Sequence, residues 1–275
     1  MIGFACIMVT LLASACASPA PAAPAKETPG WPTKGETIDD MLLKAQVDGG
    51  RISTVSSSVA IERIEPLFSK REVRTGTVLY ERSASAPTRF AVLLEQRLVG
   101  RRLEEKRKHI VFDGRWLSEI DHEKKQVLRW ELCGEESDPT RLGGRFPLPV
   151  GQSRDEVKKH FEVEVIAGNP EADFLKPITE GRDLQGMRLV PRRNTQVSEE
   201  FTRIDIWYDT DTWLPVGIET IDRKDNTRRV RLVDPVINPA LEEAQRLRLQ
   251  GEIPSGEGWS REETPCEVSP AEPTP

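Results

Sequence analysis

An Asp-Gly pair set between two apolar runs constrains the fold of this chain more than any other feature. It lies in His109-Ile110-Val111-Phe112-Asp113-Gly114-Arg115-Trp116-Leu117. Asp-Gly supplies the positive φ angles of a tight hairpin, so the runs on either side should pair antiparallel. Ala86 to Val92 upstream and Gln126 to Leu132 downstream have the same strand-like character. The second alternates cleanly, with Leu128, Trp130 and Leu132 on one side and Val127, Arg129 and Glu131 on the other. The pattern returns near the C-terminus, where Ile204, Ile206 and Tyr208 share one strand face, away from Trp207. Asp209 to Asp211 make a polar turn, Val216 to Ile221 form the next strand, and Asp225-Asn226 turns into Val230-Arg231-Leu232. The framework is a meander of antiparallel hairpins.

The two ends differ from this body. Residues 1–12 are nearly all apolar, and Ala13-Ser14-Ala15 lead into Cys16. A short apolar core before small residues reads as a secretory signal, too short to span a bilayer stably. Leu12-Ala13-Ser14-Ala15-Cys16 also resembles a bacterial lipoprotein box, with Ala13 where such boxes usually have Leu, so Cys16 is the candidate lipidation site and membrane anchor. Ala17 after it would not retain that anchor at the inner membrane under the usual sorting rule, which points to the outer one. Residues 17–35 are rich in Ala and Pro and read as an extended tether. Residues 251–275 hold five Pro, several Glu and little that could pack, and are expected to be a disordered acidic tail. Two further cysteines make no framework, and Cys133 is expected to be free of Cys266.

Residues 36–250 then suit one domain. Thr37 followed by Ile38-Asp39-Asp40-Met41-Leu42-Leu43-Lys44-Ala45 reads as a capped amphipathic helix with acidic residues in its first turn. Ser153 caps a second short helix to His160, and Leu241 to Leu249 forms a last one. Nine or ten strands are expected in all. Strands that alternate apolar and polar bury one face, which helices must cover. The fold class is therefore α+β. A net charge of −6 with 31% charged residues of both signs favours solubility and gives no steering toward nucleic acid.

In order and spacing, several segments resemble the LolA family of periplasmic lipoprotein carriers. Val78-Leu79-Tyr80 followed by Pro87-Thr88-Arg89-Phe90 is similar to its strand and Pro-x-x-Phe. Asp113-Gly114-Arg115-Trp116 is similar to its Asp-Gly hairpin and aromatic, and Met187-Arg188-Leu189-Val190-Pro191-Arg192 to its Leu-x-Leu-x-Pro-basic strand. The closing strands resemble Phe201 to Tyr208, Trp213-Leu214-Pro215, and Asp222 with the Asp225-Asn226 turn. The likeness spans roughly residues 37–240. It implies a strongly bent antiparallel sheet forming an unclosed β-barrel covered by short helices, whose apolar hollow shields acyl chains. A 16-carbon chain exposed to water costs roughly 12 kcal/mol, at about 0.8 kcal/mol per CH₂, so such a carrier needs a cavity and no catalytic group. The family also has a cargo-handling Arg directly before its Pro. Here Ser83-Ala84-Ser85-Ala86 separates Arg82 from Pro87, and both Arg82 and Arg89 are candidates.

The candidates for lining the hollow are Phe90, Val92, Phe112, Trp116, Trp130, Ile204, Ile206 and Trp207, though aromatics at period two also fill ordinary cores. His109, His122 and His160 lie in separate elements with no metal-ligand spacing, and Asp209-Thr210-Asp211-Thr212 lacks the Gly and Glu of a calcium loop. No nucleophile has a base partner, and there is no Gly-rich phosphate loop or Cys-x-x-Cys. No enzyme activity and no cofactor are expected. Arg97 to Lys108 forms a basic cluster, read as a solvated edge or a contact with anionic lipid headgroups. The expected protein is a monomeric, periplasmic, outer-membrane-anchored lipoprotein that binds acyl chains of lipids or lipidated proteins. The competing expectations are an envelope-stress sensor or interaction module on the same fold, or an enzyme acting on envelope lipids or glycans.

Overall fold

Thr37 caps the first helix, α1 (Ile38–Gly50). Its side chain accepts the N–H of Asp40, and the Asp40 carboxylate accepts the N–H of Thr37 in return. The computed structural model describes residues 37–133, 149–168, 174–179 and 182–266. The expected signal segment, Cys16, the tether and residues 267–275 lie outside these.

Among the described residues twelve strands follow. They are β1 (Thr54–Glu65), β2 (Lys70–Ser83), β3 (Ala86–Val99), β4 (Arg102–Phe112), β5 (Trp116–Asp121), β6 (Gln126–Glu131), β7 (Phe161–Ile166), β8 (Leu184–Pro191), β9 (Phe201–Asp209), β10 (Pro215–Asp222), β11 (Thr227–Ile237) and β12 (Ser260–Thr264). Short helices α2 (Arg154–His160), α3 (Lys176–Thr179), α4 (Gln196–Glu200) and α5 (Glu243–Leu249) intervene. The strands form one sheet in the order β12-β6-β5-β4-β3-β2-β1-β11-β10-β9-β8-β7, antiparallel except between β6 and β12. Its two edges do not pair, so the barrel is unclosed.

The sheet is bent at bulges between Ser56 and Ser58, between Thr75 and Gly76, and between Leu94 and Gln96. Gly76 is required at its bulge, because a Cβ there would lie 1.9 Å from the Leu93 carbonyl oxygen. The curl brings the Glu119 carboxylate of β5 within electrostatic range of Arg228 on β11. In a flat sheet five strand spacings, roughly 24 Å, would separate them.

The inner face carries the main core. Met41, Leu42 and Ala45 of α1 pack with Val55, Val59, Tyr80, Phe90, Ile206, Ile218 and Leu232. One covered face was expected, but part of the outer face is covered as well. Leu241 and Leu249 lie over Leu79, Ala91, Leu93 and Val111. The segment before β8 covers the outer face of the other half, where Leu175 sits so close to Gly217 that a Cβ there would be 2.4 Å from its Cδ2. This double cover is why residues 90–94 and 204–208 are buried without alternation.

One strand was not anticipated and two expectations are corrected. The Ser56-Ser57-Ser58 stretch, not counted among the expected strands, lies in β1, the strand that joins the two halves of the sheet through β11. There Ser57 satisfies its hydroxyl on the carbonyls of Ser58 and Val233. Residues 251–266 are not a loose tail, because Ser260–Thr264 pairs with β6 and Glu263 meets Arg129 at 2.8 Å. A polar strand needs no apolar face when it sits at an edge where water reaches both sides. Finally, Cys133 and Cys266 form a disulfide, with Cα atoms 6.2 Å apart, because β12 runs beside β6 and brings the two ends together.

Candidate functional site

Five of the eight candidate lining residues meet on the inner face. Phe90 pairs in register with Tyr80 and Phe112, and Phe112 with Leu117. Ile204 and Ile206 stand opposite Thr220 and Ile218. Phe90 and Val92 are 0% exposed, and Phe112, Ile204 and Ile206 nearly so. These residues are core beneath α1. Past the core, Ile110, Leu128 and Trp130 remain half-buried on the same face, with Glu119, paired to Lys108 at 2.6 Å, standing between Ile110 and Leu128. Trp130 stands opposite Leu117, which places it at the margin of the same face.

The other two candidates lie on the outer face. Trp116 holds the Arg129 guanidinium 4.6 Å above its ring. Trp207 packs edge-on against Phe174, with centroids 5.6 Å apart, and donates its indole N–H to the Ala167 carbonyl at 3.1 Å. The expected split of Trp207 from Ile204 and Ile206 is therefore found, with both faces buried.

Helices α1 and α2 form an antiparallel pair over the inner face. Gln46 accepts the Arg154 N–H at 2.9 Å, and Lys158 meets Asp39 at 2.8 Å. The pair closes tightly at Gly49, where a Cβ would lie 2.9 Å from the Gly151 nitrogen. Gly151 itself has φ +65°. Arg82, at the end of β2, fastens this cover. Its Nη2 donates to the carbonyls of Gly49 at 2.9 Å, Ile52 at 3.0 Å and Gly50, at and just past the C-terminal end of the helix. Arg89 makes no such contact, and its buried Nε has no hydrogen-bond partner among the described residues.

At the other end of the inner face the chemistry is cationic. Arg63 and Arg228 stand directly opposite each other on β1 and β11. Arg63 pairs with Glu65 at 3.2 Å, whereas Arg228 has no ion-pair partner among the described residues. Burial and the Arg63 charge push the Arg228 pKa down, partly offset by Glu119. Nearby, burial opposes ionisation of Glu72, but Arg74 and Arg97 outweigh it and hold the carboxyl below its ordinary range.

Two polar systems had no sequence counterpart. Across the outer face a ladder runs from Arg188 to Asp205 (2.8 Å), Arg203, Glu219 (2.7 Å), Arg229 (2.6 Å), Glu62 (3.4 Å) and Arg71. Its signal is an outward-phase charge on each of six strands, two of them on β9, legible only once the strand order is known. The second is Glu95–His109–His122. His109 Nε2 lies 3.2 Å from Glu95, and its Nδ1 lies 3.2 Å from His122 Nε2. Among the described residues no group of His, Cys, Asp or Glu could hold a metal ion.

No protein-family model and no curated protein matches the sequence. By structure, the chain is similar to MucB of Pseudomonas aeruginosa in its complex with MucA, at 14% identity and TM-score 0.44, over 80% of this chain and 61% of that one. The chain thus spans less than two thirds of MucB. It is also similar to a putative outer membrane lipoprotein-sorting protein domain from Vibrio parahaemolyticus, at 10% identity and TM-score 0.34, covering 76% and 97%. A LolA superfamily protein from Nitrosomonas europaea matches at 11% identity and TM-score 0.31, covering 75% and 96%. The likeness is one of fold alone, a LolA-like α+β arrangement of one unclosed sheet with short helices.

Proposed function

We propose that this is a non-catalytic cell-envelope protein that binds an acyl chain, of a lipid or a lipidated protein, along the inner face of the half-barrel. The observation that carries the reading is the apolar margin of Ile110, Leu128 and Trp130. It extends the core surface while leaving these side chains half-buried. An acyl chain laid there would gain about 0.8 kcal/mol for each CH₂ it removes from water. Lifting α1 would lengthen the same surface through Phe112, Phe90 and Val92, and Arg82 is the fastening that such a movement must release. The unpaired Arg228 at the far end suits an anionic headgroup.

The test uses the full chain carrying Cys16→Ser, produced in a bacterial periplasm. Native mass spectrometry should show bound lipid or acylated peptide, and a brominated fatty acid should quench tryptophan fluorescence. A clean unliganded mass together with no quenching would remove the reading and favour a partner-binding module.

A further inference from the structure

Six of the described connections at one end of the sheet carry two adjacent cations; the segment 250–259 that enters β12 at the same end carries Glu252 and Glu257 instead. β1, β3, β5, β8 and β10 run toward this end, and β2, β4, β6, β7, β9, β11 and β12 run away from it. Lys70-Arg71 opens β2, Arg101-Arg102 joins β3 to β4, and Lys124-Lys125 joins β5 to β6. Lys158-Lys159 ends α2 before β7, Arg192-Arg193 follows β8, and Arg223-Lys224 joins β10 to β11. All twelve side chains are exposed. The acids at the same end are Glu123, Glu199, Glu200, Asp225, Glu252 and Glu257, with Asp155 and Glu156 in α2. The described connections at the opposite end hold no dibasic pair; they carry Asp113, Asp183, Asp211 and Glu242 with Arg51, Arg115 and Arg182. A chain with a net charge of −6 has thus gathered positive charge at one pole.

The same pole bears the three most exposed large apolar side chains among the described residues. These are Leu67 at 84%, Phe68 at 71% and Leu103 at 61%. Leu67 and Phe68 occupy the turn between β1 and β2, closed by Ser69 at φ +47°, and Leu103 follows the neighbouring turn between β3 and β4.

We propose that this pole docks on the surface of an anionic phospholipid bilayer, with Leu67, Phe68 and Leu103 entering the headgroup region and the dibasic turns on lipid phosphates. Apolar tips ringed by cations suit a surface that is negative outside and greasy a few ångströms in, which an acidic protein or polymer is not. Cations spread over six connections, rather than lining one groove, suit a flat partner. Several are engaged by weak surface pairs, such as Arg102–Glu104 at 2.9 Å and Lys70–Glu65 at 3.7 Å. Arg101, Lys124, Arg193 and Lys224 hold no ion pair among the described residues and are available to phosphate. The docking stands independently of whether the inner face holds an acyl chain.

The test is co-sedimentation of the full chain carrying Cys16→Ser with phosphatidylcholine vesicles, with and without about 30% phosphatidylglycerol. Binding is expected only with the anionic lipid, and should fall steeply between about 0.1 M and about 0.5 M salt. Each basic residue near such a surface contributes about fivefold in affinity, so neutralising Arg101, Lys124, Arg193 and Lys224 together to Gln should cost more than about a hundredfold. None of the four has an ion pair to lose, so the melting temperature should hold. Leu67→Ser with Phe68→Ser should cost about tenfold or more. Equal binding to neutral vesicles, no binding to anionic ones, or full binding by the Gln variant would overturn the proposal. So would equal binding to soluble polyglutamate that is indifferent to the Leu67 and Phe68 changes, which would identify an acidic protein as the partner.

Discussion

The guanidinium of Arg82 lies 2.9 Å from the carbonyl oxygen of Gly49, so the end of the second strand is fastened to the end of the first helix. The two residues belong to different layers, sheet and cover.

Arg82→Leu should therefore loosen α1 in particular. Hydrogen bonds from a charged donor are worth about 1.5–3 kcal/mol each, and a loss of about 3 kcal/mol is expected for the shared set. Hydrogen exchange should show faster exchange in residues 38–50 than in β2 and β3. Uniform loss of protection across the sheet would mean that Arg82 serves global stability instead. Arg82→Lys retains the charge without the fork and should lie between.

Trp130 and Trp116 offer a controlled comparison, since they lie on opposite faces of neighbouring strands. Trp130→Glu should reduce fatty-acid uptake at least about tenfold with a modest change in melting temperature, because the side chain is only half-buried. Trp116→Glu should leave uptake intact. Phe90→Ala, at a fully buried site, should cost about 3–5 kcal/mol of stability. Equal effects of the two tryptophan changes on uptake would contradict the assignment of the faces.

Asp205 is 2% exposed and faces both Arg188 and Arg203. Asp205→Asn leaves two guanidinium groups without their shared counter-charge, and should cost about 2–3 kcal/mol. That lies below the value for a wholly buried pair, because both arginines still reach water. Chemical denaturation measures it, and Arg188→Met in the Asp205→Asn background should add less than it does alone.

Reducing the Cys133–Cys266 disulfide should release β12 from the sheet edge. Closing so long a loop contributes about 2–4 kcal/mol, and β12 has little apolar burial to hold it otherwise. Limited proteolysis should cut near residues 251–259 only after reduction, or in Cys133→Ser.

The paired rings of His109 and His122 make stability depend on pH. Burial lowers both pKa values below the ordinary 6.5; in His122 the His109 and Arg107 charges add to the effect, while Arg107 and Arg248 act on His109. Glu95 opposes the shift in both, and Asp121 opposes it in His122. Because the folded protein binds these protons more weakly than the unfolded chain, the contribution is fully present above about pH 6.5 and is lost as pH falls through the depressed values. Doubly protonated rings would both be donors across 3.2 Å. The melting temperature should drop below about pH 6.5, and His122→Gln should flatten that drop.

Much of the fold was legible in local signals. Thr37 with Asp40 marks the start of α1, and the Asp113-Gly114 turn sets the register of β4 on β5, because caps and tight turns depend on a few neighbouring residues. Alternation gave the shared face of Ile204 and Ile206 opposite Trp207, and the unclosed half-barrel was what the resemblance to the LolA family implied. Alternation did not reveal β12 or the strand role of Ser56-Ser57-Ser58, since polar strands at bulges and edges carry no apolar signal.

By itself the sequence determined most of the apolar strands and which of their side chains share a face, because period and turn chemistry act over a few residues. Tertiary structure alone decided that β1 lies beside β11, that Arg82 rather than Arg89 reaches α1, and that Cys133 meets Cys266. It also gathered six dibasic pairs, scattered from Lys70 to Lys224, onto one pole. The physical reason is common to these cases: the partners are far apart in the chain, and only a folded core of particular curvature makes their meeting cost less than the chain entropy it removes.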